Sequence, residues 1–232
     1  MILYFFSGII LGSFLGVLAK RIPIHQDFIY SRSECDHCHV KLSALDLIPF
    51  YVLIFNKNKC RHCTKSIPIY HSLFEILTGS FVLIFNLTIG FKLTTIYLFL
   101  LCVMSLTLSL TDFLYMIVEP KILYPLSFIA YLFFHLNHSF SIHNLSTPFF
   151  ILFFFLILTK FMPDGIGGGD IKLLIIWSLF LNLTTCLVII LLASSLGIIF
   201  IFLSQYIFHK PIQKLPFVPF LTFGFIIATL IF

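Results

Sequence analysis

Residues Thr185–Phe208, TCLVIILLASSLGIIFIFLSQYIF, run without a single charged side chain. A helix that crosses a bilayer needs about 20 mostly apolar residues at a rise of about 1.5 Å each, and this stretch exceeds that length. The same character extends over the whole chain of 232 residues: hydrophobic residues make up 60% of it, charged residues 10%, and the mean hydropathy is +1.10. That leaves too little polar surface to clothe a water-soluble globule. Working outward from Thr185–Phe208, seven further segments have the composition of spans: Ile2–Ala19, Tyr70–Ile89, Leu93–Thr111, Ile122–Leu136, Pro148–Phe161, Ile171–Leu183 and Phe217–Phe232. The fold class is therefore an all-α polytopic membrane protein of about eight transmembrane helices, with the short fifth and sixth segments tilted or partly re-entrant.

Basic residues orient the spans. Lys20 and Arg21 follow the first apolar segment, whereas a cleaved signal peptide carries its positive charge before that region, so this segment reads as an anchor with its amino terminus outside. With the loop from Lys20 to Ile69 in the cytoplasm, alternation through eight spans leaves Lys92 as the only one of the fourteen Lys and Arg residues outside. Three regions result: 1–19, the first transmembrane helix; 20–69, a cytoplasmic loop holding four cysteines; and 70–232, a membrane core of about seven helices. The formal net charge of +5 is then a topological signal and implies no nucleic-acid partner.

Within the loop, Cys35-x-x-Cys38 and Cys60-x-x-Cys63 have the ligand spacing of a tetrahedral four-thiolate zinc site. Cytosolic thiols are kept reduced, which disfavours disulfides there. Four thiolates leave no open position for activating a water, so the zinc would be structural, clamping a loop with little core of its own. His37 and His62 lie inside the two motifs as substitute ligands. Cys102 and Cys186 stand alone within apolar segments and read as small buried side chains.

The acids carry the chemistry. Charged side chains are expensive in lipid, and the alternation places Asp112 at the cytoplasmic end of the third span and Asp170 at the cytoplasmic start of the sixth. A bland reading of Asp170 is a helix cap, since Asp favours amino-terminal turns and the helix dipole. Gly167, Gly168 and Gly169, with Pro163 and Gly165, argue for more: glycine is entropically costly unless the backbone bends unusually or another chain approaches closely, as an extended peptide substrate would. Two adjacent carboxyl groups share a proton, one activating a water while the other polarises the scissile carbonyl. Asp164 competes with Asp170 for the second role, Lys172 would favour ionisation of a nearby carboxylate, and Glu75, about a turn into the second span, would pair with a loop cation, contact substrate, or serve a second active site.

Taken in order, these motifs resemble the type IV prepilin peptidases, membrane aspartyl proteases of the Gly-x-Gly-Asp class, in particular those serving competence pseudopili in Gram-positive bacteria. Gly12-Ser13-Phe14-Leu15 with Arg21-Ile22-Pro23 is similar to the family's opening motif, and the paired cysteines to its cytoplasmic loop. Asp46-Leu47-Ile48-Pro49, Tyr70 with Glu75-Ile76-Leu77-Thr78-Gly79, Thr111-Asp112, Gly165–Leu174 and Pro216–Leu221 follow in the family's order. The family usually has Leu-Pro-Asp after the first acid; here Val118-Glu119-Pro120 stands, so Glu119 carries that acid's role or the role is absent. The spacing before Cys35 also differs.

The resemblance implies a bacterial inner-membrane endopeptidase that removes a basic leader from prepilin or pseudopilin precursors at the cytoplasmic face, just before the precursor's apolar helix. It implies Asp112 and Asp170 as catalytic acids, and a second activity, methylation of the new amino terminus with S-adenosylmethionine, for which no glycine-rich nucleotide fingerprint is present. The competing functions are a transporter using the acids for ion passage, disfavoured because they sit at one membrane edge, and a non-catalytic assembly component of a secretion or DNA-uptake system.

Overall fold

A computed structural model describes residues 1–28, 34–35, 37–38, 40–41, 56, 59–137, 143–161, 165–207 and 214–231. Among these residues there are eight α-helices: α1 (Ile2–Arg21), α2 (Ile69–Thr88), α3 (Ile96–Tyr115, preceded by a 3-10 turn at Leu93–Thr95), α4 (Pro120–Asn137), α5 (His143–Phe161), α6 (Gly168–Ser178), α7 (Leu183–Ile207) and α8 (Val218–Ile231). Each coincides with one expected span. Four stretches, Ile2–Arg21, Ile69–Thr88, Leu93–Tyr115 and Leu183–Ile207, are long and apolar enough to cross a membrane; Pro120–Leu136, Ser146–Phe161 and Val218–Leu230 are apolar but shorter. The protein is a membrane protein. With 11 residues, α6 is about 16 Å long, half a hydrocarbon core.

Apolar composition misplaces two helix starts. Lys121 interrupts the hydropathy but not the helix: Pro120 opens α4, where its missing N–H costs nothing. Pro148 lies inside α5, because the polar turn beginning at His143 is helical although it is not apolar.

The chain divides into two compact units, residues 1–88 and 89–232. In the first, α1 and α2 run antiparallel along small residues. A Cβ on Gly8 would lie 2.8 Å from both Gly79 Cα and Val82 Cβ, and one on Gly12 would lie 2.9 Å from Thr78 Cβ and 3.0 Å from Glu75 Cα. Small residues four apart let backbones approach this closely, the usual source of packing where no hydrophobic effect drives helices together.

The second unit is built around α3, which buries Leu101, Met104, Leu108 and Asp112 and packs against α4 and α8. Its polar side chains fold back onto the backbone: Ser105 Oγ donates to Leu101 O (2.6 Å) and Thr107 Oγ1 to Val103 O (2.8 Å). Thr222 of α8 donates across to Ser105 O at 3.0 Å, a buried interhelical hydrogen bond. Trp177 of α6 is fully buried and stacks on Phe225 of α8 with ring centroids 4.5 Å apart. The third, sixth and eighth helices therefore meet, and both candidate acids sit at their ends. By contrast Leu191, Ile198 and Phe202 of α7 lie exposed, as expected of a helix apolar all round with lipid on one side.

Candidate active site

Asp112 lies in the last turn of α3 and is only 7% exposed. Its carboxylate oxygen Oδ2 accepts the backbone N–H of Val218 at 3.0 Å, and the Phe217 backbone also bonds the group. These N–H groups belong to the start of α8, where no preceding turn can satisfy them. Asp112 thus caps α8 from another helix, and the helix dipole reinforces the contact. Just beyond, Met116 adopts the left-handed conformation (φ 55°, ψ 40°) and donates its N–H to Asp112 O at 2.8 Å, ending α3. The Thr111 hydroxyl reaches Leu108 O (2.8 Å) and Ile117 O (3.1 Å), tying the turn back onto the helix.

Asp170 is the third residue of α6, whose N-cap is Gly167. Asp170 is therefore not the N-cap that the bland reading makes it; from the first turn its carboxylate turns back to the Gly167 backbone. This contact is not the whole account, because the Asp112 and Asp170 carboxyl groups are near enough to interact electrostatically. Fifty-eight positions apart in sequence, they are brought together by the junction of α3, α6 and α8. Lys172 is exposed and makes no ion pair with the described residues, so the local cation expected from sequence is not supplied there.

The three glycines do different things. A Cβ on Gly167 would press on Asp170 Oδ2 at 2.9 Å, so its bareness leaves the carboxylate its position. At Gly169 the added atom would meet Val118 Cγ2 at 2.7 Å and Val118 Cβ at 2.8 Å, whereas at Gly168 nothing lies within 4 Å. Rotating the valine cannot relieve a clash with its own Cβ, so backbone must move. Gly169→Ala is expected to lower processing at least about tenfold by displacing Asp170, and Gly168→Ala to stay within about threefold of wild type, tenfold being only about 1.4 kcal/mol of barrier. Initial rates on a detergent-solubilised precursor check both; equal losses would remove the distinction.

Val118 leads into Glu119, which is 9% exposed. The Glu119 carbonyl accepts Leu123 N–H (3.0 Å), and its Oε1 lies 3.4 Å from Lys121 N, so the side chain leans over the first turn of α4. It occupies the same junction as Gly169. Asp164 and Asp46 fall outside the described residues.

In the first unit, Glu75 of α2 is half-buried and hydrogen-bonds the Ser13 side chain of α1. Two sequence motifs quoted separately thus meet at one contact. The four cysteines Cys35, Cys38, Cys60 and Cys63 also converge, their sulfurs all within 4.8 Å of one another, with Cys35–Cys63 at 3.8 Å and Cys38–Cys60 at 3.9 Å. A tetrahedral ion with metal–sulfur bonds of about 2.3 Å requires sulfur–sulfur edges of about 3.8 Å, so the donor set fits zinc. No disulfide joins them. The two halves share a design: Cys35 N–H donates to Val40 O (3.0 Å) and Cys60 N–H to Lys65 O (2.9 Å), while Glu34 bridges to Lys41 as Lys59 does to Ser66. Each hairpin presents backbone N–H groups to sulfur. Those of Cys63, then of His62, bring the Cys60 thiol down to about 7.

Two family comparisons bracket these features. The model of the bacterial peptidase A24 N-terminal domain matches residues 6–89, and that of the type IV leader peptidase family matches residues 99–202, a range containing both Asp112 and Asp170. The chain belongs to the type IV leader peptidase family. Among curated relatives, the prepilin leader peptidase/N-methyltransferase of Bacillus subtilis is 28% identical over 73% of this chain and 68% of its own length. The Vibrio cholerae protein of that name is 27% identical over 75% and 74%, and the Aeromonas salmonicida protein 26% identical over 98% and 89%. No solved structure matches the chain.

The chain is an enzyme of this family, and its sequence showed the two acids but not the Val218 and Phe217 N–H groups that hold one of them. A signal did exist: Pro219 so soon after Pro216 marks a helix start, and a helix start needs an acceptor.

Proposed function

We propose that Asp112 and Asp170 are the catalytic pair of this leader peptidase and that it cleaves the basic leader from type IV prepilin-like precursors at the cytoplasmic face of the bacterial inner membrane. The observation that supports the reading is that these two carboxyl groups, at the ends of α3 and α6, lie near enough to interact electrostatically, inside the segment that matches the peptidase family. Prepilin cleavage itself follows from family membership and from the names of the relatives.

The chemistry follows from proximity. Two carboxyl groups drawn together over a substrate hold one proton between them. The ionised member takes a proton from a water as it attacks the scissile carbonyl, and the protonated member donates to the developing oxyanion. Collapse of the tetrahedral intermediate returns a proton to the departing amine, which becomes the amino terminus of the mature product. Gly168, with open space around it, gives an extended peptide room to approach.

The arrangement of basic residues supports a cytoplasmic placement of both acids and of the cysteine cluster, with the amino terminus outside. We assign structural zinc to Cys35, Cys38, Cys60 and Cys63, whose spacing suits a closed four-sulfur shell. The relatives' names include N-methyltransferase, which extends the proposal to methylation of the product's new amino terminus with S-adenosylmethionine. Mass spectrometry of a mature pilin-like product made with this enzyme alone tests both activities. The expected result is a new amino terminus at the leader junction bearing one methyl group. A precursor that remains full length overturns the peptidase assignment, and an unmethylated cleaved product overturns only the second activity.

A further inference from the structure

The last turn of α3 sends two consecutive side chains to different neighbours. Asp112 accepts the Val218 N–H at the start of α8. Thr111, fully buried, donates its hydroxyl to two carbonyls: Leu108 O at 2.8 Å in its own helix, and Ile117 O at 3.1 Å in the turn before α4. The first contact is the ordinary way a helix satisfies a buried hydroxyl, as Thr107 Oγ1 does with Val103 O one turn earlier, at 2.8 Å. The second leaves the helix.

The turn it reaches is one that needs holding. Met116 opens it in the left-handed conformation, at φ 55°, which a residue with a Cβ keeps only where its surroundings impose it. The Met116 N–H is tied to Asp112 O at 2.8 Å, and the next carbonyl is the one that Thr111 reaches. One position further, Val118 lies against the bare α-carbon of Gly169, where an added Cβ would come within 2.7 Å of the valine. Asp170 follows Gly169 in the first turn of α6. A continuous line of contacts thus runs from the Thr111 hydroxyl through Ile117 and Val118 to the backbone that carries the second acid, and it begins one residue from the first.

We infer that Thr111 is a positioning residue for the peptidase reaction, its hydroxyl fixing the turn that sets Asp170 against Asp112. The inference rests on the assignment of those two acids as the catalytic pair. Thr111 acts through Val118 and Gly169 and touches none of the reacting atoms. A misplacement of about 1 Å costs on the order of a hundredfold in rate, so a hydrogen bond at this remove bears more heavily on turnover than on binding.

Initial rates over a range of precursor concentrations, measured with the full-length enzyme in detergent, test this. Thr111→Val keeps the shape and the branching at Cβ but removes the donor. It is expected to lower kcat by between about tenfold and about a hundredfold while KM stays within about twofold of wild type, because the surface that binds substrate is unchanged. Thr111→Ser restores the hydroxyl and should return kcat to within about threefold of wild type. Thr107→Val removes an equally buried hydroxyl that bonds only its own helix, and should also stay within about threefold.

Wild-type kcat in Thr111→Val overturns the inference. So does a change confined to KM, a loss in Thr111→Ser equal to that in Thr111→Val, or an equal loss in Thr107→Val, each of which makes the threonine a packing residue. If Thr111→Val does not accumulate in membranes, Thr111→Ala takes its place with the same expected kcat. Failure of both to accumulate also overturns the inference, since the hydroxyl then holds the fold and not the acid. Asp112→Asn is assayed beside them. Its normal turnover removes the catalytic assignment, whereas an inactive Asp112→Asn beside a fully active Thr111→Val removes this inference alone.

Discussion

Asp112→Asn and Asp170→Asn are each expected to abolish processing of a co-expressed prepilin-like precursor, with rates reduced by at least about 10³-fold, within the range attributable to positioned acid–base groups. Asparagine keeps the shape of aspartate but can neither take a proton from water nor deliver one to a carbonyl oxygen. At position 112 it can still accept the Val218 N–H through its amide oxygen, so α8 keeps its cap and the protein should insert normally. Immunoblotting of precursor and mature product, with enzyme abundance measured in the same membranes, separates loss of chemistry from loss of fold. Substantial cleavage by both variants would sink the pair. Asp164→Asn is the discriminating control: normal processing there keeps the second role with Asp170, whereas loss at 164 with retention at 170 transfers it.

Metal content gives the second large effect. Protein isolated under reducing conditions is expected to carry one zinc per chain, and Cys60→Ser less than about a tenth of that, because apparent binding energies of about 10–16 kcal/mol for four-ligand structural zinc depend on the complete set. Acid releases the ion. The ligands must be thiolates, so protons compete with the metal as pH falls, and the Cys63 and His62 backbone N–H groups that bring the Cys60 thiol down to about 7 favour its thiolate at neutral pH. Zinc is therefore retained at pH 7 and lost progressively below it, as metal analysis after dialysis over a pH series will show. Reduced protein without metal, or stoichiometric zinc in Cys60→Ser, would refute the site.

Much of this architecture was legible because bilayer constraints are blunt. A hydrocarbon slab of fixed thickness forces long apolar runs, so the eight helices among the described residues coincide with expected spans even where their first turns, at Pro120 and His143, are polar. The cysteine cluster was equally visible, since paired Cys-x-x-Cys motifs have few other uses in a reduced compartment. The matching backbone bonds of the two hairpins, Cys35 to Val40 and Cys60 to Lys65, had no such signature because carbonyls carry no residue identity. For the same reason the sequence showed three adjacent glycines as equals. Only the approach of Val118 separates Gly169 from Gly168, and that approach depends on how the turn after α3 meets α6. The bond from Thr111 to Ile117 O was invisible too, because its acceptor is again a carbonyl.

The bond from Val218 to Asp112 gives one side chain two masters. Exchanging it for glutamate, the mildest change a chemist would try, adds a methylene between backbone and oxygens. Either the longer arm keeps its hold on the eighth helix and swings its reactive oxygens off target, or it keeps them aimed and lets that helix start slip. On the proposed catalytic role, a spacer of one carbon is thus dictated twice over, by architecture as much as by reactivity.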